Sequence, residues 1–179
     1  FFSTFNADAV KDAMLYKGSM PPQYGGRISS VLDIRMNDGN NRDFIVSGGV
    51  GIISSKLNVE GPIQKGKSSF LVTGRRTYLD LLLLTSSDSN KNSTVLYFYD
   101  FNAKVNYQIN SRNRLFSSGY FGRDVLKFGS GSFGVDWGNA TATLRWNHLF
   151  SDRLFSNTSL IYSNYDNKIA IKFGANDFR

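Results

Sequence analysis

The sequence predicts an all-β protein, and three observations favour an antiparallel β-barrel that spans a membrane. Apolar and polar residues alternate through segment after segment, as they do in strands whose two faces meet different surroundings. Aromatic residues make up 15% of the chain, which suits the aromatic girdles of membrane barrels. Seventeen glycines against three prolines indicate many tight turns rather than disorder. No apolar run approaches the ~20 residues that a membrane helix needs.

Composition also narrows the possible functions. The formal net charge is +7, but the 21 Lys and Arg residues are scattered and form no basic cluster, so no nucleic-acid partner is expected. The absence of cysteine excludes disulfides and thiolate metal sites. With His148 as the only histidine and no pair of carboxylates that stands out, we expect no catalytic residues, no metal site, no cofactor and no enzyme activity. His148 is expected near a turn, in an aromatic belt with Trp146 and Phe150.

The first 41 residues are predicted to be compact and irregular. Asn6 is positioned to cap a short helix that runs through Lys11 or Asp12, and residues 13–16 are typical of a short strand. A loop at 18–26 leads into alternating residues from 28 to 36, which predict a second strand. The run Asn-Asp-Gly-Asn-Asn at 37–41 then predicts a turn or linker.

From residue 42 onward the pattern predicts one hairpin after another. Arg76 interrupts the alternation of its strand, which predicts a bulge. Connections alternate between short (64–67, 111–113 and 151–152) and long (85–94, 129–135 and 165 onward), with one short exception near Gly49. Membrane barrels have short periplasmic turns and longer extracellular loops. The predicted strands cover 44–50, 53–60, 70–76, 97–110, 115–128, 139–147 and a segment from 154 past 162.

The strand over 97–110 has the clearest alternation, and it predicts which side chains face lipid and which face the lumen. The expected lipid-facing residues are Tyr97, Tyr99, Phe101, Val105, Tyr107 and Ile109. The expected lumen-facing residues are Asn102, Lys104, Asn106 and Gln108. Seven strands cannot close a barrel, since single-chain bacterial barrels have an even number of eight or more. The chain is therefore expected to be a fragment of a larger barrel.

One stretch resembles a known family. Residues 17–35 read Lys-Gly-Ser-Met-Pro-Pro-Gln-Tyr-Gly-Gly-Arg-Ile-Ser-Ser-Val-Leu-Asp-Ile-Arg. This order, with a Gly-Pro loop that carries a tyrosine, a double glycine and a final strand, resembles the last part of the plug domain of TonB-dependent outer-membrane receptors. Gly61-Pro62 and the segment Gly-Arg-Arg-Thr-Tyr-Leu-Asp at 74–80 resemble the first barrel strands of the SusC-like branch. The resemblance implies a small α+β plug segment over 1–41 and about seven strands of a plugged transmembrane β-barrel over 42–179.

The resemblance also implies a function, a location and partners. It implies active import of a ligand, such as a nutrient or a metal chelate, across the bacterial outer membrane. The expected partners are outer-membrane lipid, a TonB-type periplasmic energy-coupling protein and a surface lipoprotein or other outer-membrane subunits. Tyr24, with Gln23, matches the plug apex beneath the ligand site, although a ring packed against the plug is an equal alternative. The resemblance implies that Arg27 and Arg35 are plug charges that pair with carboxylates on the barrel wall. Arg75 and Arg76, expected on an interior-facing bulge, would make a similar contact between plug and barrel or line the lumen.

Two other functions are compatible with the sequence. The chain could belong to a structural or assembly subunit of a larger outer-membrane complex that does not transport. Residues 61–68 also match the phosphate-loop pattern G-x-x-x-x-G-K-[ST], which would make the protein nucleotide-binding. That motif requires a helix from Ser68 onward, but residues 69–74 alternate like a strand around a central glycine. The sequence therefore predicts a hairpin turn at this motif.

Overall fold

The computed structural model describes residues 6–18, 21–24, 26, 29–79, 94–128 and 133–171. These residues form nine strands and a single 3₁₀ turn at Pro22–Tyr24. The strands are β1 Val10–Tyr16, β2 Val31–Met36, β3 Ile45–Val50, β4 Ser54–Gln64, β5 Ser68–Thr77, β6 Val95–Asn110, β7 Asn113–Phe128, β8 Phe133–Ser151 and β9 Leu154–Ile171. No helix in the described part of the chain is long and apolar enough to cross a membrane.

The strands form two antiparallel sheets. β1 and β2 make a two-stranded sheet, while β3 to β9 make a seven-stranded sheet in which each strand pairs with the next one in sequence. Short turns at 65–67, 111–112 and 152–153 connect three of the hairpins. The predictions of an all-β fold, of antiparallel pairing and of seven strands after residue 42 are therefore confirmed.

The predicted helix after Asn6 is wrong. Residues 7–9 form a turn in which the Asn6 side chain accepts a hydrogen bond from the Asp8 backbone N at 3.1 Å. Strand β1 follows at once and pairs with β2 from Val10 to Tyr16. An Asn side chain that bonds the backbone two residues onward favours a turn over a helix, and pairing with β2 then extends the chain.

Two further predictions fail in the seven-stranded sheet. Arg76 is not in a bulge, because it pairs in regular register with Ser55 on one side and Tyr99 on the other. The irregularities in register lie beside turns instead, as at Pro62/Gln64. The last strand also continues to Ile171, where a long connection from residue 165 was predicted.

The two faces of the seven-stranded sheet differ in chemistry and burial. We call the face that carries Phe101, Tyr107 and Ile109 the outward face, and the opposite face the inward face. Those three side chains are 42–48% exposed. On the inward face the polar Asn102 and Asn106 are only 4–5% exposed. Along β6 the distribution is the reverse of a water-soluble sheet, which buries its apolar face.

Candidate functional site

The N-terminal unit, defined as residues 6–41 with strands β1 and β2, docks onto the inward face of the large sheet through Asp38. Lys104 on β6 places its Nζ 2.8 Å from Asp38 Oδ1 and donates to the Met36 carbonyl at 2.7 Å. Arg114 on β7 approaches the other carboxylate oxygen of Asp38 at 3.7 Å. Asp38 thus faces two cations from neighbouring strands.

The backbone at Asp38 is held as firmly as its side chain. The Asp38 carbonyl accepts one hydrogen bond from Ser69 Oγ at 2.6 Å and another from Asn106 Nδ2 at 2.8 Å. Ser69 and Asn106 are opposite each other on β5 and β6. The next residue, Gly39, has a φ of 79°, and a Cβ there would overlap the carbonyl oxygen of Phe70. Only glycine satisfies both the left-handed backbone and this close approach.

A third ion pair joins the N-terminal unit to the large sheet, and together these contacts reverse the predicted charge pattern. Asp8 Oδ2 lies 2.7 Å from Lys56 Nζ on β4. The N-terminal unit therefore contributes carboxylates and the sheet contributes cations. Arg35, predicted to reach a carboxylate on the barrel wall, is instead 3.6 Å from Asp33 of its own strand and largely exposed. Arg27 lies outside the described residues.

Arg75 and Arg76 point to opposite faces, because successive residues of a regular strand alternate. Arg75 lies on the inward face, where its Nε is 2.6 Å from the buried Asp100 carboxylate and its guanidinium lies over the Phe98 ring. Arg76 lies on the outward face, 6.0 Å from the centre of the Tyr97 ring. The prediction that Arg76 contacts the plug is therefore wrong.

The residues predicted to face lipid and those predicted to face the lumen lie on opposite faces of the sheet, as the alternation predicts. Asn102, Lys104, Asn106 and Gln108 share the inward face, and the first three are covered while Gln108 is exposed. The six residues predicted to face lipid share the outward face. They are Tyr97, Tyr99, Phe101, Val105, Tyr107 and Ile109.

His148 lies in a cluster of rings with Trp146 and Phe150 at the end of β8, as predicted. The rings of Trp146 and His148 are 5.2 Å apart, and those of His148 and Phe150 are 4.3 Å apart and edge to face. Asn113 of β7 accepts a hydrogen bond from Trp146 Nε1 at 3.0 Å. This cluster lies beside the short turns at 111–112 and 152–153.

A cleft of about 610 Å³ separates the N-terminal unit from strands β6 to β9. Tyr24 lines it, while its ring also packs 5.7 Å from the ring of Tyr16 on β1. Tyr24 therefore packs against β1 while part of it faces the cleft, and its predicted place beneath a ligand site stays a prediction. Gln23 belongs to the same 3₁₀ turn, and its side chain lies outside the described residues. The other lining residues are Lys11, Asp33, Ile34, Arg35, Met36, Asp38, Lys104, Phe116, Ser118, Thr143, Arg145 and Asn157.

The phosphate-loop match forms a hairpin. Gly61 to Gln64 end β4, residues 65–67 turn with Gly66 at a φ of 76°, and Ser68 begins the antiparallel strand β5. A phosphate loop needs a helix N-terminus at that position, so this segment lacks the required geometry.

Within the described ranges no group of three or more His, Cys, Asp or Glu side chains could hold a metal ion. No protein-family model, curated protein or solved structure matches this chain at a significant level.

Proposed function

We propose that the chain is part of a TonB-dependent importer of the bacterial outer membrane, with residues 6–41 as part of its plug and the seven-stranded sheet as part of its barrel wall. One observation carries the proposal. On β6 the sheet exposes an apolar face, while the N-terminal unit covers part of the opposite, polar face around Lys104 and Asn106. An apolar face of this extent marks contact with a membrane or a partner, and a polar lining under a plug is the expected interior of a plugged barrel.

The dimensions of the outward face suit a bilayer. Its apolar residues on β6 extend from Tyr99 to Ile109, with further aromatic rings at both ends. That span rises about 33 Å at ~3.3 Å per residue, which gives a height of about 25 Å at the usual strand tilt of ~40°. The apolar band of an outer-membrane barrel is ~25 Å tall.

The contacts at Asp38 suit a plug that must move. They are ion pairs and hydrogen bonds to the wall rather than interdigitated apolar packing. Water can replace such partners as they separate, so the net cost of breaking each one is about 0.5–1.5 kcal/mol for a typical hydrogen bond. A periplasmic energy-coupling protein that pulls on the plug would release these contacts one after another, and ligand would then pass along the polar wall.

Spin labels at single cysteines test the membrane orientation, since the chain has no native cysteine. In the complete protein reconstituted in vesicles, a label at Val105→Cys should be relaxed mainly by lipid-soluble oxygen. A label at Gln108→Cys should be relaxed mainly by a water-soluble nickel complex. Equal relaxation profiles at the two positions would contradict the assigned faces.

Import itself is tested by genetics. A strain that lacks the complete gene and a strain that lacks the energy-coupling protein should lose accumulation of the same nutrient or chelate from a mixed medium. If the chain belongs to a structural subunit, loss of its gene should instead alter envelope assembly, with no uptake defect shared between the two strains.

A further inference from the structure

In the described part of the sheet, the charged side chains of the outward face lie near one end. Within the described residues of β3 to β9, the outward positions from the level of Phe101 down to the turn at 111–112 hold no Lys, Arg, Asp or Glu. Above the level of Phe101 the same face has four cations and two carboxylates. They are Arg76, Arg123, Lys127, Lys168, Asp136 and Asp166.

The charged end is also the end with the longer connections. Its strands are separated by 17 residues at 78–94, four at 129–132 and three at 51–53, whereas those of the uncharged end are separated by three at 65–67 and two each at 111–112 and 152–153. If the sheet is the barrel wall proposed above, longer loops identify the charged end as the extracellular one. The charged residues then lie at the level of the lipid headgroups of the outer leaflet.

Two of these four cations form ion pairs with carboxylates of the same face, and the other two do not. Arg123 forms two short hydrogen bonds to Asp136, at 2.7 and 2.8 Å, and Lys168 lies 3.3 Å from Asp166. Among the described residues, Arg76 and Lys127 have no carboxylate within ion-pair distance. Arg76 instead lies over the ring of Tyr97 at the edge of the apolar band.

From this arrangement we infer that Arg76 and Lys127 bind anionic phosphate groups of outer-leaflet lipid, while the apolar residues below them contact its acyl chains. This inference depends on the proposed membrane location. The Arg123–Asp136 pair joins β7 and β8 at the same end of the sheet, so it contributes shape and little net charge there. An arginine beside a tyrosine ring suits a headgroup site, because the ring lies at the interface while the guanidinium reaches the phosphate.

Binding of a phosphate-bearing lipid tests the inference. The complete protein in neutral detergent would be titrated with lipid A that carries both phosphates and with lipid A from which they have been removed. The double variant Arg76→Gln with Lys127→Gln should bind the phosphorylated form roughly 20-fold more weakly than wild type, since each cation near an anionic surface is worth about a factor of five. Its affinity for the dephosphorylated form should equal that of wild type.

A matched control carries the same change in charge at the other end. Lys65→Gln with Lys67→Gln alters two exposed lysines of the turn at 65–67 and should bind phosphorylated lipid A like wild type. Equal losses in both double variants would show attraction to net charge alone and would overturn the inference, as would no loss in either. Heat-dependent gel mobility would establish that every variant is folded. Failure of the wild-type protein to insert into neutral phosphatidylcholine vesicles would instead count against the proposed membrane location.

Discussion

Lys104 on the sheet joins the N-terminal unit at two points, Asp38 Oδ1 at 2.8 Å and the Met36 carbonyl at 2.7 Å. Its side chain is only 14% exposed, so the ammonium group depends on these two oxygens rather than on water. Ser69 and Asn106 hold the Asp38 carbonyl from the same side. Asp38 thus contacts three strands of the large sheet, β5, β6 and β7. Its charge should influence how readily the N-terminal unit leaves the sheet.

We expect Asp38→Asn to loosen the N-terminal unit without unfolding the large sheet. The change removes the charge opposite Lys104 and Arg114 but leaves the backbone hydrogen bonds of residue 38 in place. Leaving a mostly buried ammonium with only neutral acceptors should cost about 1–3 kcal/mol. Hydrogen exchange of the β1 and β2 amides measures this cost directly. Asp33→Asn, which breaks an exposed pair within one strand, should change protection by no more than about 1 kcal/mol, and an equal effect of both variants would contradict the role of Asp38.

Gly39→Ala should loosen the same junction by a steric route. The residue has a φ of 79°, and a methyl group would overlap the Phe70 carbonyl, so backbone or strand must shift. Gly66→Ala is the matched control, because Gly66 has a φ of 76° with open space around its Cβ position. Gly66→Ala should lower the free energy of unfolding only by the ~1–2 kcal/mol that a left-handed alanine costs. Gly39→Ala should lower it clearly more. Thermal unfolding together with exchange of the β2 amides checks both, and equal losses would show that the contact with Phe70 is unimportant.

The strands and their faces could be predicted because alternation is a local property of the sequence. Over 99–109 each polar residue lies between two apolar or aromatic ones, so the two faces follow once the segment is taken as a strand. The short turns could be predicted for the same reason, since two or three polar residues between alternating runs leave room only for a hairpin.

The docking contacts could not be predicted in this way. Asp38 is 31 residues from Ser69 and 68 residues from Asn106, and no periodicity connects such distant positions. The Asp-Gly pair at 38–39 predicts a turn. It does not predict that Gly39 lies against the Phe70 carbonyl. The bulge predicted at Arg76 is wrong for a different reason. A charge on an apolar face predicts a break in the strand, but Arg76 pairs in regular register with Tyr99 at the end of the apolar band and lies over the Tyr97 ring.

The outward face provides a direct test of burial in lipid. Val105→Arg, which places a charge in the middle of the apolar band, should destabilise the complete protein in a bilayer by about 2–4 kcal/mol. Gln108→Arg on the inward face should cost little, because residue 108 is exposed and polar. Asn106 is unsuitable as the control since it holds the Asp38 carbonyl. Urea unfolding in vesicles compares the variants, and similar midpoints for both arginine variants would reverse or remove the lipid assignment of this face.

Two roles of Tyr24, contact with a ligand in the cleft and packing within the N-terminal unit, can be separated by comparison with Tyr16. Its ring packs against Tyr16 and also lines the cleft, whereas Tyr16 does not line the cleft. If the cleft receives the imported ligand, Tyr24→Ala should weaken ligand binding by about 1–3 kcal/mol, as truncation of an interface aromatic does. Tyr16→Ala removes the same ring contact and should leave the affinity nearly unchanged. Titration calorimetry with the nutrient or chelate found in the uptake comparison separates the two roles. If both variants lose affinity equally, Tyr24 acts through packing of the N-terminal unit. If neither loses affinity, the cleft is not where the ligand binds.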